Sequence, residues 1–563
     1  MLRTVKTTPL TRTPLAWNKL LGVSLAISLA LRLYLEFLLP DMLPDKIVQL
    51  ITARQLSLGH GISYAFSNPE NLSALRYELI SVWAPGYALF VAPLFVLGFD
   101  YFWASLLVDW FAVLLFFGAW YGIFQILSPF VKSYLFVFVL LYWGVAYSPF
   151  RLAPSTDILS LAFFSLAWAL FSRIISQQKA EVNLGMVILF AFSSFLTCFF
   201  RFAYYPVAIL LPILLVLYVW FTDPSKTKAA IFAFLLTGFL IGAQLLYQAL
   251  MADNVLFLDQ YYPETQPRLY FEHLLRFDPI AVNTFMHDFI LKKALTGQAF
   301  TWFNFFFTTL LVVIMVAGFK KTSFWKAGFR LGRGSYGHIG LIGWFFVFGG
   351  VVSFTIIGFL SYLSLRYPIQ VDGNWTFVQE ARYFAPVYLI LFLLICLSLF
   401  RRERPLGGWA RWLGSGLLGS GVFFSLFFCA YTLSRYSLTD GEANMRSYYH
   451  YSRELPEFIR KYPILNSPVS VVFSAENFYS PVSWFLAMEG AAMVAADSLV
   501  AQKEISADHQ VNLLVVVDLT KGDSLNAALR NFVRLRHAQK LVTLHDAQTE
   551  IWEIKVNDAE NPR

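Results

Sequence analysis

Apolar and polar positions along this chain alternate on a long scale. Apolar runs recur over most of its length, separated by short polar loops, and each run suffices to cross a hydrocarbon core of roughly 30 Å as a helix. The pattern predicts spans near 19–39, 101–127, 133–150, 157–175, 184–200, 204–221, 229–250, 300–319, 339–362, 383–400 and 413–433, about eleven in all. A membrane barrel would alternate residue by residue, and these runs do not. Two segments depart from the pattern. Asp45 to Leu58 is too mixed to lie in lipid and reads as a surface helix, while PGYALFVAPLFVLG from Pro85 is apolar but too short to span, as an interfacial or re-entrant helix would be.

After about Ser434 the pattern changes to that of a water-soluble α/β unit. VSVVFS (469–474), NLLVVVDL (512–519), KLVTLH (540–545) and TEIWEIK (549–555) read as strands, and DSLNAALRNFVRLRH (523–537) has helical periodicity. The expected fold class is therefore a polytopic α-helical membrane protein with a C-terminal α/β domain.

Composition agrees. The chain is 58% apolar and 14% charged, with a mean hydropathy of +0.58, against about 25% charged in a soluble domain. Its net charge of +8 does not point to nucleic acid, because the basic residues are scattered through loops rather than gathered on one face. Topology explains them: Lys320, Lys321, Lys326, Arg330 and Arg333 mark one cytoplasmic loop, and Arg401, Arg402, Arg404 and Arg411 another. Smaller ones carry Lys132, Arg173 with Lys179, and Lys226 with Lys228. The three cysteines, Cys198, Cys396 and Cys429, lie in apolar runs without metal-ligand spacing, so neither a disulfide nor a zinc site is expected.

The resulting map has a cytoplasmic arm (1–18), a membrane region (19–433) and an extracytoplasmic domain (434–563). The membrane region includes an outer loop at 40–100 and an outer segment at 252–299. The first span is too long for a signal peptide and lacks a small-residue cleavage site, so it reads as a retained anchor. Short cytoplasmic loops fit a bacterial inner (plasma) membrane.

Ionisable side chains at the outer helix ends carry the chemical interest, since each costs at least ~2.5 kcal/mol to bury in a membrane without a partner. Asp45 opens the helix DKIVQLITARQLSLGHGISY, and from the residues alone an N-cap is its better account. Asp157 reads equally as a helix cap, a partner for Arg151 or a metal ligand. Arg201 and Arg382 read as ion-paired or snorkelling side chains as readily as ligand-binding ones. His60, His273 and His287 take no assigned role.

Several of these segments together resemble the GT-C membrane glycosyltransferases, in particular the branch holding protein O-mannosyltransferases and aminoarabinose transferases. That branch places an acid before a surface helix ending in Leu-x-x-Gly-x-Gly, matched here by Asp45 and LSLGHG, then an aromatic-Pro-Gly-Tyr element, matched in WAPGYALF from Trp83. Thr156-Asp157, Arg201 in TCFFRFAYYP and Arg382-Tyr383 in EARYFAPVYLIL resemble three further elements in order. Lys46 departs from the pattern, standing where the family usually has a second acid.

The resemblance implies inverting transfer of a sugar from a polyprenyl-phosphate donor to a hydroxyl acceptor at the outer surface. Asp45 would be the general base, and Arg201, Arg382, Arg151, Lys292 and Lys293 the cations that meet the donor phosphate. A divalent metal, Mg or Mn, with Asp157 as a ligand is a further implied option. Partners would be the lipid-linked donor, membrane lipid and a glycan, lipid or protein acceptor. The competing readings are a transporter or flippase of lipid-linked saccharide, against which stands the lack of paired halves with broken helices, and an O-antigen ligase or polymerase.

Overall fold

A computed structural model describes residues 15–38, 44–79, 84–127, 155–177, 182–252, 298–321, 338–366, 381–399, 408–435, 454–462, 468–473, 481–502, 505–519, 524–545 and 548–556, with single positions at 269, 271, 280 and 464. The span expected at 133–150 and nearly all of the segment at 252–299 lie outside them.

The membrane region is built from helices α1 (Leu15–Leu38), α2 (Pro44–Ser57), α3 (Gly86–Val96), α4 (Tyr101–Leu127), α5 (Ser155–Ser176), α6 (Leu184–Phe200), α7 (Tyr205–Thr222), α8 (Thr227–Ala252), α9 (Gln298–Lys321), α10 (His338–Arg366), α11 (Ala385–Leu399) and α12 (Gly408–Arg435). Their bounds follow the apolar runs. By length and composition five stretches among the described residues can cross a membrane: Tyr101–Ile126, Thr156–Ser176, Phe202–Thr222, Pro224–Met251 and Trp344–Arg366. Burial ranks them: the apolar window of Thr156–Ser176 is 83% buried and that of Pro224–Met251 only 28%. Of these five, α5 is the most enclosed and α8 the least.

The first loop is more ordered than an outer loop suggests. Tyr64–Asn68 (β1) and Asn71–Glu78 (β2) form an antiparallel hairpin, turned at SNPEN, where Asn68 and Pro69 supply turn chemistry. The C-terminal region adds α13 (Leu455–Lys461), β3 (Val469–Phe473), α14 (Pro481–Met488), β4 (Ala492–Ala495), α15 (Ala496–Val500), β5 (Val511–Asp518), α16 (Ser524–Leu535), β6 (Gln539–Leu544) and β7 (Thr549–Val556). All seven strands join one sheet in the order β2-β1-β4-β3-β5-β7-β6. The junction is β1 with β4, parallel, with Phe66 opposite Met493, and the Ser67 and Ser470 hydroxyls bond 2.6 Å apart beside it. Open sheets do not sit in hydrocarbon, so the first loop and the C-terminal strands occupy the same side of the membrane.

The period-two alternation of strands splits the sheet's side chains between two cores. Val471, Met493 and Leu514 face the core shared with the helical bundle. Their neighbours Val472, Val494 and Leu513 face a second core closed by Leu525, Leu529 and Phe532 of α16.

This layering corrects the expectation of a surface helix at 45–58. Every residue of α2 from Lys46 to Ala53 is buried, because α2 is enclosed by α3, α5 and, from the C-terminal layer, α14. Its end follows the LSLGHG pattern: Gly59 and Gly61 take φ of +89° and +78°, a left-handed backbone that side chains resist.

Candidate functional site

Asp45 occupies the second position of α2, and its side chain lies outside the described residues. The rest of the helix is fixed by named contacts. Gln49, one turn on, donates from Nε2 to the Ala84 carbonyl at 2.6 Å and accepts from the Ala88 amide at 3.2 Å, which ties α2 to the start of α3. The Tyr64 hydroxyl donates to the Val48 carbonyl at 3.2 Å. Lys46 is 1% exposed, so the residue that departs from the family pattern is an enclosed cation rather than a solvated one. At the other end Arg54 lies over the Phe95 ring at 4.4 Å, donates to the Met488 carbonyl at 3.4 Å and pairs with Glu489 at 3.8 Å.

The α3 start also rests on α6. A Cβ on Gly86 would meet the Phe199 carbonyl oxygen at 2.6 Å and the Phe200 ring at 2.8 Å, so this approach requires glycine. Phe200 is in turn stacked on Phe163 of α5 at 5.3 Å and meets Phe90 of α3 edge-on at 5.2 Å. Through these contacts α2, α3, α5 and α6 converge at one end of the bundle.

There three separated sequence elements meet. Asp157 is the third residue of α5, where the helix N-terminus favours an anion. Arg201 caps the C-terminus of α6 in an extended conformation, φ −151° and ψ 111°, the end at which a cation is favoured. Arg382 lies in the 3₁₀ turn Ala381–Phe384 that leads into α11. Arg201 Nε is 2.7 Å from Asp157 Oδ1, and Arg382 Nη1 is 3.8 Å from Asp157 Oδ2. Both are ion pairs, the first close and the second at longer range.

Two tyrosines complete the cluster. The Tyr383 ring has the Arg201 guanidinium 4.8 Å and the Arg382 guanidinium 5.3 Å from its centre, an attractive arrangement for both cations. Tyr204, fully buried, donates its hydroxyl to the Arg382 carbonyl at 3.0 Å, holding that turn against the Arg201 turn. Among the described residues, one carboxylate faces two guanidiniums here. Asp157 is 2% exposed, the Arg201 side chain 10% and that of Arg382 21%, so Arg382 is the most accessible of the three.

Asp157 faces two guanidiniums, which repel a divalent cation, and no three His, Cys, Asp or Glu side chains gather among the described residues. Arg151, Lys292 and Lys293 lie outside the described residues. The sequence reading passed over Tyr204 and also Asp109, which is 3% exposed within α4. A single acid inside a long apolar run was the signal available for Asp109.

No protein-family model matches the chain, and no curated protein does. Solved structures do. The crystal structure of ArnT from Cupriavidus metallidurans bound to undecaprenyl phosphate aligns with a TM-score of 0.52 at 13% identity, over 96% of this chain and 98% of that one. The chain has the ArnT fold. ArnT in the apo state aligns over the same shares at 12% identity and a TM-score of 0.49. The likeness runs over nearly the whole of both chains. At this identity ArnT defines the fold and leaves the chemistry to the chain's own residues.

Proposed function

We propose that this chain is a membrane glycosyltransferase that moves a sugar from a polyprenyl-phosphate donor to a hydroxyl acceptor on the outer face of a bacterial inner membrane. The observation that carries this reading is the meeting of Arg201 and Arg382 at Asp157. An ArnT structure of this fold binds undecaprenyl phosphate, which supports a donor of that class.

In this reading the acceptor oxygen attacks the anomeric carbon while the bond from that carbon to the phosphate oxygen breaks. Its electron pair leaves with the lipid phosphate, inverting the anomeric centre. Asp45 takes the acceptor proton, because a neutral hydroxyl is a weak nucleophile. Arg201 and Arg382 neutralise the charge that grows on the phosphate, and Arg suits the task because its planar fork holds two oxygens. Asp157 and Tyr383 orient both guanidiniums beforehand, so little reorganisation accompanies the reaction. Arg151, Lys292 and Lys293 are further cations for the same phosphate. No step is assigned to a metal. The acceptor is a glycan, lipid or protein.

Mass spectrometry of polyprenyl phosphates in cells with and without the gene tests the class and names the donor. An accumulating lipid-linked sugar on deletion is the expected result. Intact lipid-linked sugar moved across the membrane with no glycosidic bond formed would overturn it. In membranes, Asp45→Asn is expected to abolish donor consumption while sparing donor binding, and Arg382→Ala to weaken donor binding. Undiminished consumption by Asp45→Asn would remove that residue as the base.

A further inference from the structure

A cavity of about 280 Å³ lies between α6, α8 and the first loop, with Pro85, Phe195, Phe199, Gln244, Tyr247 and Gln248 in its wall. It adjoins the cluster described above through shared elements. Phe199 precedes Arg201 by two residues, and Pro85 opens α3, whose first turn is held by Gln49 of α2. Tyr204 and Tyr205, adjacent in the chain, serve the two places separately: the Tyr204 hydroxyl bonds to the Arg382 carbonyl, and the Tyr205 hydroxyl lies beside the Gln244 amide.

The cavity wall contains no charged side chain among the described residues. It does contain two glutamines that have been taken out of solvent, Gln244 at 7% and Gln248 at 4% exposure. The Gln248 nitrogen has no hydrogen-bond partner among the described residues, and the Gln244 amide has only the neighbouring Tyr205 hydroxyl. A buried amide without a partner is a cost that a leucine of similar size would not carry. Such groups persist where something else completes them. Between them stand Phe195 and Phe199, a tilted ring pair with centres 5.0 Å apart.

Donors and acceptors for neutral partners, ring faces for C–H surfaces and no cation together select an uncharged, hydroxyl-bearing ring and disfavour a phosphate, whose burial here would go unpaired. The size agrees, falling just under the roughly 300–1,000 Å³ of pockets for larger ligands. We propose that this cavity is the acceptor subsite and that it receives an uncharged saccharide ring through Gln244 and Gln248. The inference rests on the transferase reading and specifies its acceptor.

Full-length protein in lipid nanodiscs, with empty discs as the blank, is titrated with octyl β-glucoside, methyl β-glucoside and farnesyl phosphate. Saturable binding of octyl β-glucoside is expected, weakened about tenfold in Gln244→Leu/Gln248→Leu, the loss of one or two neutral hydrogen bonds. Farnesyl phosphate should bind that variant as it binds the parent. The variant's thermal midpoint should equal or exceed the parent's, because two incompletely bonded amides have been removed from an apolar wall. Stronger binding of the octyl than the methyl glucoside supports a glycolipid acceptor, and equal binding supports a free glycan; both fit the ring proposed. No saturable glucoside binding, binding undiminished in the variant, or an equal loss for farnesyl phosphate would each overturn the proposal. A lowered midpoint would overturn it too, by making the glutamines structural. Binding is read without turnover, so failure here leaves donor consumption, the test of the transferase reading, to stand or fall alone.

Discussion

Arg201 Nε lies 2.7 Å from Asp157 Oδ1, a contact that joins the start of α5 to the end of α6. A buried pair of this kind is costly to break from one side, about 3–5 kcal/mol, and much less costly to replace whole. Asp157→Ala is therefore expected to lower the thermal midpoint and the yield of folded protein. Asp157→Leu/Arg201→Met should recover most of the stability and none of the sugar transfer. Single and double variants of equal stability would mean that the pair is not coupled.

Gly86 is the second pressure point. Its absent Cβ would fall 2.6 Å from a backbone oxygen, which cannot rotate away as a side chain can. Gly86→Ala is expected to cost about 1–3 kcal/mol by forcing α3 from α6, and Gly86→Val more. Denaturant melts of the purified variants check the order. An alanine variant as stable as the parent would show that α3 shifts freely.

Glu489 predicts a pH dependence. Burial raises its carboxyl pKa, the Arg54 guanidinium opposes that rise and Asp100 adds to it. A carboxyl raised on folding binds its proton more tightly in the folded state. Its contribution to stability is therefore full below the unfolded value of about 4.3 and is lost as pH rises through the higher folded value. The thermal midpoint of the parent should fall across that window, and Glu489→Gln should flatten the fall. Identical slopes in the two proteins would remove Glu489 as the cause.

Lys226 holds the opposite end of the bundle. It is 2% exposed, and its Nζ donates to the Ile174 carbonyl at 3.1 Å and to the Gln177 carbonyl, and lies 3.1 Å from Asp223 Oδ2. Lys226→Met is expected to destabilise by about 1–3 kcal/mol through the acceptors it abandons. Hydrogen exchange of the backbone amides between α7 and α8 should quicken in parallel; an unchanged exchange pattern would contradict this.

How much of this was legible in the sequence depended on how local its cause was. The spans at 101–127, 157–175 and 184–200 match their helices closely, since a long apolar run carries its own signal. Lys226 was read as a loop charge because charge counting does not detect a carbonyl cage. The burial of α2 was illegible: Lys46, Gln49, Thr52 and Gln55 look solvated until residues from the far end of the chain cover them. The four-residue β4 is too short to announce itself, and the β1–β2 hairpin is stabilised by pairing with it. Within the site, Asp157, Arg201 and Arg382-Tyr383 were singled out by motif, and their mutual distances now rest on geometry. Gln244 and Gln248 passed as polar residues tolerated within a long apolar run.

The pairing of β1 with β4 also sets a timetable. The hairpin leaves the ribosome early and its partner strand several hundred residues later, which at about 5–20 residues per second is on the order of tens of seconds. Through that interval the bare edge of β1 waits for a neighbour. Only when the last segment has been made can α2 be covered, so the chain completes its first loop last, although it makes that loop first.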